Sequence, residues 1–360
     1  MLSALSVLDL VPVSTAQSSA DAVSASLALA ECAEHLGYAR YWFAEHHNMP
    51  AVASTAPPVL IAAVAARTSR LRVGSGGVML PNHAPLTVAE QFAALEAIAP
   101  GRIDLGIGRA PGSDPVITAL LRSSGPTSDV DRFEQNLTDI RALAGDGATI
   151  SVRTADGMRD YDVRATPAST TTPEMWLLGS SDYSAHLAAR LGLPYVFAHH
   201  FSGEGTERAL GIYRAEFRPS QTLTAPRTFL TANVVVADTA EEALARAMPS
   251  LQNMARLRTG KPLRAIDSVE AAQREQLDAA SQHVIDAMLA RWIVDAAEPA
   301  AARLRSLADS FGVDEVMVSP GAGAREGEPR DRAVGRERTL ELLAEALLAP
   351  EASSSERPSR

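Results

Sequence analysis

Residues 39–50 read ARYWFAEHHNMP. The first five have the aromatic, apolar composition of a strand. The chain then turns polar at Glu45, His46 and His47 and reaches a proline. Neighbouring side chains point to opposite faces of a strand and diverge around a helix, so His46 and His47 make a poor two-pronged metal clamp. What they do depends on where this strand tip sits. The same form, an apolar strand with a polar or glycine-rich tip, recurs along the chain, and that recurrence decides the fold.

Working outward, SVLDLV (6–11) precedes a helical stretch over about 21–36 that Gly37 stops. ARYWF (39–43) precedes a helix over about 57–67, LRVGSG (71–76) one over about 86–98, and RIDLGIG (102–108) one over about 129–144. MWLLG (175–179) leads into 182–191, PYVFA (194–198) into 204–217, and FLTANVVVA (229–237) into DTAEEALARA. There Asp238 with Glu241, or Thr239 with Glu242, has capping-box spacing. DEVMVSP (314–320) and a helix over about 333–348 close the series. Alternating strands and helices imply a parallel α/β sheet covered by helices, and eight units are the number that closes a (β/α)8 TIM barrel. An open doubly wound sheet is the rival. No break in composition divides residues 1–348, which read as one barrel domain. Two stretches exceed ordinary connections: 145–174, with a hairpin signal around Asp156-Gly157, and 249–292, which reads as a helical lid. The polar end, 349–360, reads as a disordered tail.

Composition excludes several classes. The net charge of −10 leaves no basic footprint for nucleic acid or anionic lipid. Cys32 is the only cysteine and falls among Val23, Leu27, Ala30 and Ala33 at helical spacing, so a buried structural thiol in a reducing cytosol is expected. The N-terminal run has no basic leader and is broken by Asp9 and Pro12, which favours a strand over a signal peptide. No apolar stretch approaches the ~20 residues of a membrane span.

Barrel active sites lie at the C-terminal ends of the strands, and the unusual residues fall there. Glu45, His46 and His47 follow the second strand; Ser75, Gly76 and Gly77 end the third; Arg109 ends the fourth. Gly179, Ser180 and Ser181 follow the fifth, and His199 and His200 the sixth. In LLGSSDYSA a strand ends in glycine and two serines open a helix, an arrangement that suits an anion, with Ser181 and Ser184 as hydroxyl donors; a plain N-cap is the alternative. Arg109 offers a fork for phosphate or a surface ion pair. The glycines of VGSGGVMLP mark either a close approach to a ligand or a bulge. For the histidines, acid–base or hydrogen-bonding work, a metal site and a structural role all stand open; a metal site needs converging ligands, and none is assigned.

The motifs YWFAEHHNMP, VGSGGVMLPNHAPL, AEQF, PGRIDLGIGRAPG and LLGSSDYSA together resemble the bacterial luciferase-like flavin monooxygenases, in particular the subgroup that includes the enzyme of mensacarcin biosynthesis. The resemblance covers most of residues 3–240 and returns at GVDEVMVSP. It implies a luciferase-like TIM barrel that takes FMNH2 from a separate NAD(P)H flavin reductase. The reduced flavin reacts with O2 to give a C4a-peroxyflavin, which epoxidises or hydroxylates an apolar or aromatic small molecule, in this subgroup a polycyclic polyketide of antibiotic biosynthesis. By the same resemblance Glu45, His46 and His47 are catalytic. Gly76-Gly77 is the site of a non-proline cis peptide beneath the flavin; Arg109 contacts the phosphate or the ring; Arg132, Ser181 and Ser184 contact phosphate; and a cytoplasmic homodimer is expected. Ser180 stands where luciferase has an acid, and Val294–Pro299 replaces a glycine-led turn, so that region is expected to be reshaped. A deazaflavin-dependent oxidoreductase, a non-catalytic luciferase-like subunit and a metal-dependent barrel hydrolase are the competing readings.

Overall fold

The computed structural model describes residues 2–110, 112, 114–122, 130–145, 147–201 and 203–348; the expected tail at 349–360 lies outside them. In chain order the strands are β1 (Ala4–Asp9), β2 (Arg40–Phe43), β3 (Arg72–Met79), β4 (Ile103–Gly108), β5 (Ala148–Thr154), β6 (Gly157–Val163), β7 (Glu174–Gly179), β8 (Tyr195–Phe197), β9 (Thr228–Ala237), β10 (Ile293–Ala296) and β11 (Glu315–Pro320). The main sheet runs β10-β9-β11-β1-β2-β3-β4-β7-β8, and β8 also pairs with β9. Eight parallel strands therefore close a ring, with β10 attached to β9 outside it. The open-sheet alternative is excluded by the β8–β9 pairing. Strands β5 and β6 form a separate antiparallel hairpin, with Thr154 opposite Gly157.

Period-two alternation builds two cores. On β1, Leu5 and Val7 face the outer helices while Leu8 faces the barrel axis. The axis is filled by Trp42, Trp176 and Phe229, whose ring centroids lie 5.0–5.7 Å apart. Such bulk leaves no room on β3. A Cβ at Gly74 would come within 2.8 Å of Trp42 Nε1, and one at Gly76 within 3.3 Å of the same side chain. The β3–β4 register slips between Ser75 and Val78, so a bulge is present as well as a close approach.

Ion pairs close the N-terminal end of the barrel. Arg40 binds Asp104 at 2.8 Å and Glu315 at 3.0 Å, Arg72 also reaches Asp104, and Trp42 Nε1 donates to Asp104 at 2.9 Å. Asp104 is fully buried, and that many donors offset its desolvation.

Three helices, Ala240–Arg258, Val269–Arg274 and Ala279–Leu289, follow β9. Thr239 caps the first by accepting from the Glu242 N–H, which selects the second of the two predicted capping pairs. The first and third share an apolar cluster with Val235, including Leu251, Ile285, Met288 and Trp292. The link between the first two crosses toward other loops: Ile266 exchanges backbone hydrogen bonds with Val13 and Thr15, and Arg258 donates to the Phe201 carbonyl at 2.8 Å. Residues 294–296, expected to be a reshaped turn, belong to β10, and the next helix starts directly at Ala297. Among the described residues no helix is long and apolar enough to cross a membrane.

Candidate active site

The C-terminal rim collects the loops after β2, β3, β4, β7 and β8. Glu45 follows the buried β2 and is itself buried. Its Oε1 meets His47 Nε2 at 2.9 Å and His83 Nε2 at 2.7 Å, and its Oε2 accepts the Met79 N–H at 2.9 Å. Burial works against the charge, but these hydrogen bonds outweigh it and draw the carboxyl down to about 2. Glu45 is thus a fixed anion clamping the loop after β2 to the end of β3. The His47 N–H donates to the Gly112 carbonyl at 3.2 Å, which ties in the loop after β4.

His46 behaves differently. Its backbone N–H bonds to the Ser54 carbonyl at 3.0 Å, yet its Nδ1 is buried without a hydrogen-bond partner among the described residues. Burial lowers its pKa despite the pull of Glu45, so the ring is neutral at pH 7. An unpaired buried polar atom is costly, and one at the C-terminal mouth of a barrel is a candidate contact for a ligand. His200, after β8, is held by Thr231 Oγ1 at 2.7 Å, and burial, then neighbouring His46 and His199, push it down to about 4.

A second cluster forms where β7 ends. Ser181 is the N-cap of helix Asp182–Leu191, but its hydroxyl makes no cap bond, and Ser180 and Ser181 are exposed. Gly179 packs so closely under this turn that a Cβ would lie 2.0 Å from Ser184 Oγ. The Arg109 guanidinium lies 4.0 Å from the ring centroid of Tyr183, in the first turn of that helix. The expected cation and the expected helix start are therefore side by side. Ser184 is turned elsewhere: it is buried, donates to the Ser181 carbonyl at 2.8 Å and sits 3.3 Å from the Tyr195 hydroxyl. Arg132 stands exposed at the N-cap of helix Phe133–Ala144.

The Gly76-Gly77 peptide is cis. The Ser75 hydroxyl is buried and donates to the Gly106 carbonyl at 2.8 Å, joining β3 to β4. Sequence reasoning missed His83 as the second imidazole on Glu45. Its only local signal is its place four residues beyond the end of β3. Among the described residues no group of three or more His, Cys, Asp or Glu side chains is placed to hold a metal ion.

With this geometry in view, the comparison with known proteins is direct. A family model described as luciferase-like monooxygenase matches residues 4–315. This chain belongs to that family. It is similar to a luciferase-like monooxygenase of Escherichia coli (strain K12), with 45% identity over 72% of this chain and 74% of the relative. It is 32% identical to the N-acetyl-S-alkylcysteine monooxygenase of Bacillus subtilis (strain 168), covering 96% of this chain and 98% of that one. Among solved structures, apo-MsnO8 matches with a TM-score of 0.79 and 32% identity over 96% of this chain and 98% of its own. As a luciferase-like monooxygenase the protein is an oxidoreductase of the flavin-dependent class, and its rim can be tested for fit. An uncapped helix start beside an arginine suits a phosphate, and the unpaired His46 Nδ1 offers a polar contact to a ring system. The residues present fit a flavin mononucleotide.

Proposed function

We propose that this enzyme is the oxygenase of a two-component system, using FMN reduced by a separate NAD(P)H flavin reductase and O2 as co-substrate. Its substrate is an apolar or aromatic small molecule that it epoxidises or hydroxylates, in natural-product biosynthesis of the polyketide, antibiotic-forming type. It works as a cytoplasmic homodimer. The observation that carries this reading is the meeting, on one rim, of the uncapped Ser181 helix with Arg109 and of the buried Glu45–His47 pair with the neighbouring, unpaired nitrogen of His46. When bound and reduced, FMN supplies the electrons that activate dioxygen.

The chain's own residues do the rest. Arg109, Ser180, Ser181 and the backbone N–H groups of the helix start hold the phosphate. Glu45 does not exchange protons near neutral pH, because its three donors keep it ionised; it fixes the rim loops in place. His46, neutral and unpaired, is the polar group that can hold a proton at Nδ1 beside the reacting atoms. The segment from Arg258 to Ile266, bonded to the loops after β8 and β1, acts as a lid that excludes water.

A thioether substrate is the second reading, favoured by 32% identity to the N-acetyl-S-alkylcysteine monooxygenase along nearly the whole chain. Purified protein with FMN, a flavin reductase, NADH and 18O2 decides between them on a panel of aromatic polyketide intermediates and N-acetyl-S-alkylcysteines. A product gaining one labelled oxygen is expected, and a His46→Gln variant that forms it ~100-fold more slowly. Product formed without oxygen on a deazaflavin would overturn the reading.

A further inference from the structure

Strand β8 stops at Phe197, opposite Leu230, while β10 begins at Ile293, opposite Val234. Residues 231–233 of β9 therefore have no strand partner on that edge. The seam holds a cavity of about 100 Å³ lined by His199, His200, Asn233, Arg291, Trp292 and Arg303, among others. Arg291 and Arg303 are exposed at its solvent side. Arg303 donates to the Trp292 carbonyl at 2.9 Å. The Arg291 backbone N–H donates to the Met288 carbonyl at 2.9 Å, while its guanidinium makes no hydrogen bond or ion pair with a described residue.

The inner wall is built and polar. His200 Nδ1 lies 2.7 Å from Thr231 Oγ1, and the His200 carbonyl accepts from Asn233 Nδ2 at 2.8 Å. His199 Nδ1 lies 2.8 Å from Thr206 Oγ1, whose own hydroxyl donates to the Gly203 carbonyl at 2.9 Å. Nδ1 is therefore the donor in that bond, and Nε2 keeps its lone pair. Burial lowers both imidazoles, so at neutral pH the charge of the cavity is that of its two guanidinium groups. Among the described residues no carboxylate lines it.

A cationic recess without a counter-ion takes an anion, and a guanidinium fork matches a carboxylate in two parallel bonds. The cavity is small and walled by Trp292 and His200, which suits a planar carboxylate. We propose that this seam is a carboxylate subsite, and that the substrate carries a carboxylate gripped by Arg291 and Arg303 while the rest of the molecule extends past His200 toward His46. The second half of that statement rests on the oxygenase reading above; the subsite does not.

The test is calorimetric titration of the flavin-free protein with acetate, benzoate and inorganic phosphate at matched ionic strength. Benzoate is expected to bind saturably, and more tightly than phosphate does at the Arg291-dependent site. Arg291→Gln is expected to weaken benzoate at least tenfold and Arg291→Lys less, with an unchanged far-ultraviolet spectrum in both, since Arg291 is exposed. Absence of saturable binding by either carboxylate, equal binding by Arg291→Gln, or a phosphate affinity that Arg291→Gln lowers more than it lowers that for benzoate would each overturn the subsite; phosphate held at Arg109 and Ser181 is unchanged by that substitution. Because no flavin, reductase or dioxygen is present, such a failure leaves the oxygenase reading standing, and a failure of oxygenation leaves the subsite standing.

Discussion

Replacing Glu45 by glutamine keeps the shape of the side chain and removes its charge. The carboxyl is buried and meets three hydrogen-bond donors, from His47, His83 and Met79. Its ordinary value of 4.5 falls to about 2 in the folded protein. At about 1.4 kcal/mol per pH unit, that difference corresponds to roughly 3 kcal/mol of folding stability at pH 7. A depressed acid contributes fully above its unfolded value and loses the contribution as pH falls through the folded one, so about 1.4 kcal/mol remains at pH 3. The amide cannot substitute, because its NH2 group faces one of the same donors, and an unsatisfied buried donor costs about 1–3 kcal/mol. Urea unfolding of wild type and Glu45→Gln, followed by circular dichroism at pH 7 and pH 3, measures both effects. The variant is expected to be about 3 kcal/mol less stable at pH 7, with the gap narrowing by about 2 kcal/mol at pH 3. A gap below about 0.5 kcal/mol at pH 7, or one that stays constant between the two pH values, would show that the carboxylate is not the clamp described here.

Two further expectations follow from the rim and the barrel wall. Arg109→Gln should weaken FMN about tenfold or more, the loss of about 1.5–3 kcal/mol for a charge-assisted bond. It should leave riboflavin, which lacks the phosphate, nearly unaffected; fluorescence titration with both ligands reads this, and equal losses would remove Arg109 from the phosphate site. Gly106→Ala places a Cβ 2.0 Å from the Ser75 carbonyl oxygen and 2.9 Å from Leu178. Because the first of these is sheet backbone, the variant should lose about 3 kcal/mol or more, seen as a lowered midpoint in the same urea assay.

The barrel was legible because its signals are local. Buried parallel strands are short apolar runs, and glycines such as Gly37 and Gly192 stop the helices between them. Once eight units are counted, the strand-tip rule places Glu45, Arg109 and Ser181 on one rim without knowledge of any contact. The structure then adds that Arg109 stacks on Tyr183 and that the Ser181 hydroxyl is left uncapped. It also adds that the Ser184 hydroxyl points back to the Ser181 carbonyl, and that residues 294–296, expected to be a reshaped turn, belong to a strand. Four residues with a central Val-Asp pair carry too little pattern to be read as a strand; β10 exists because β9 outruns β8 and offers it a free edge.

What the sequence determined by itself was the order and number of the eight ring strands, and hence which residues stand at strand tips, since these depend on neighbours a few positions apart. Partnership was left to the tertiary structure. His83 reaches Glu45 across 38 positions and Arg40 reaches Glu315 across 275, and each pairing depends on ring closure and strand register, which no local pattern records. The unpaired nitrogen of His46 and the cationic seam beside His200 belong to the same class: they are spaces left between elements, and a space exists only once the chain has packed around it.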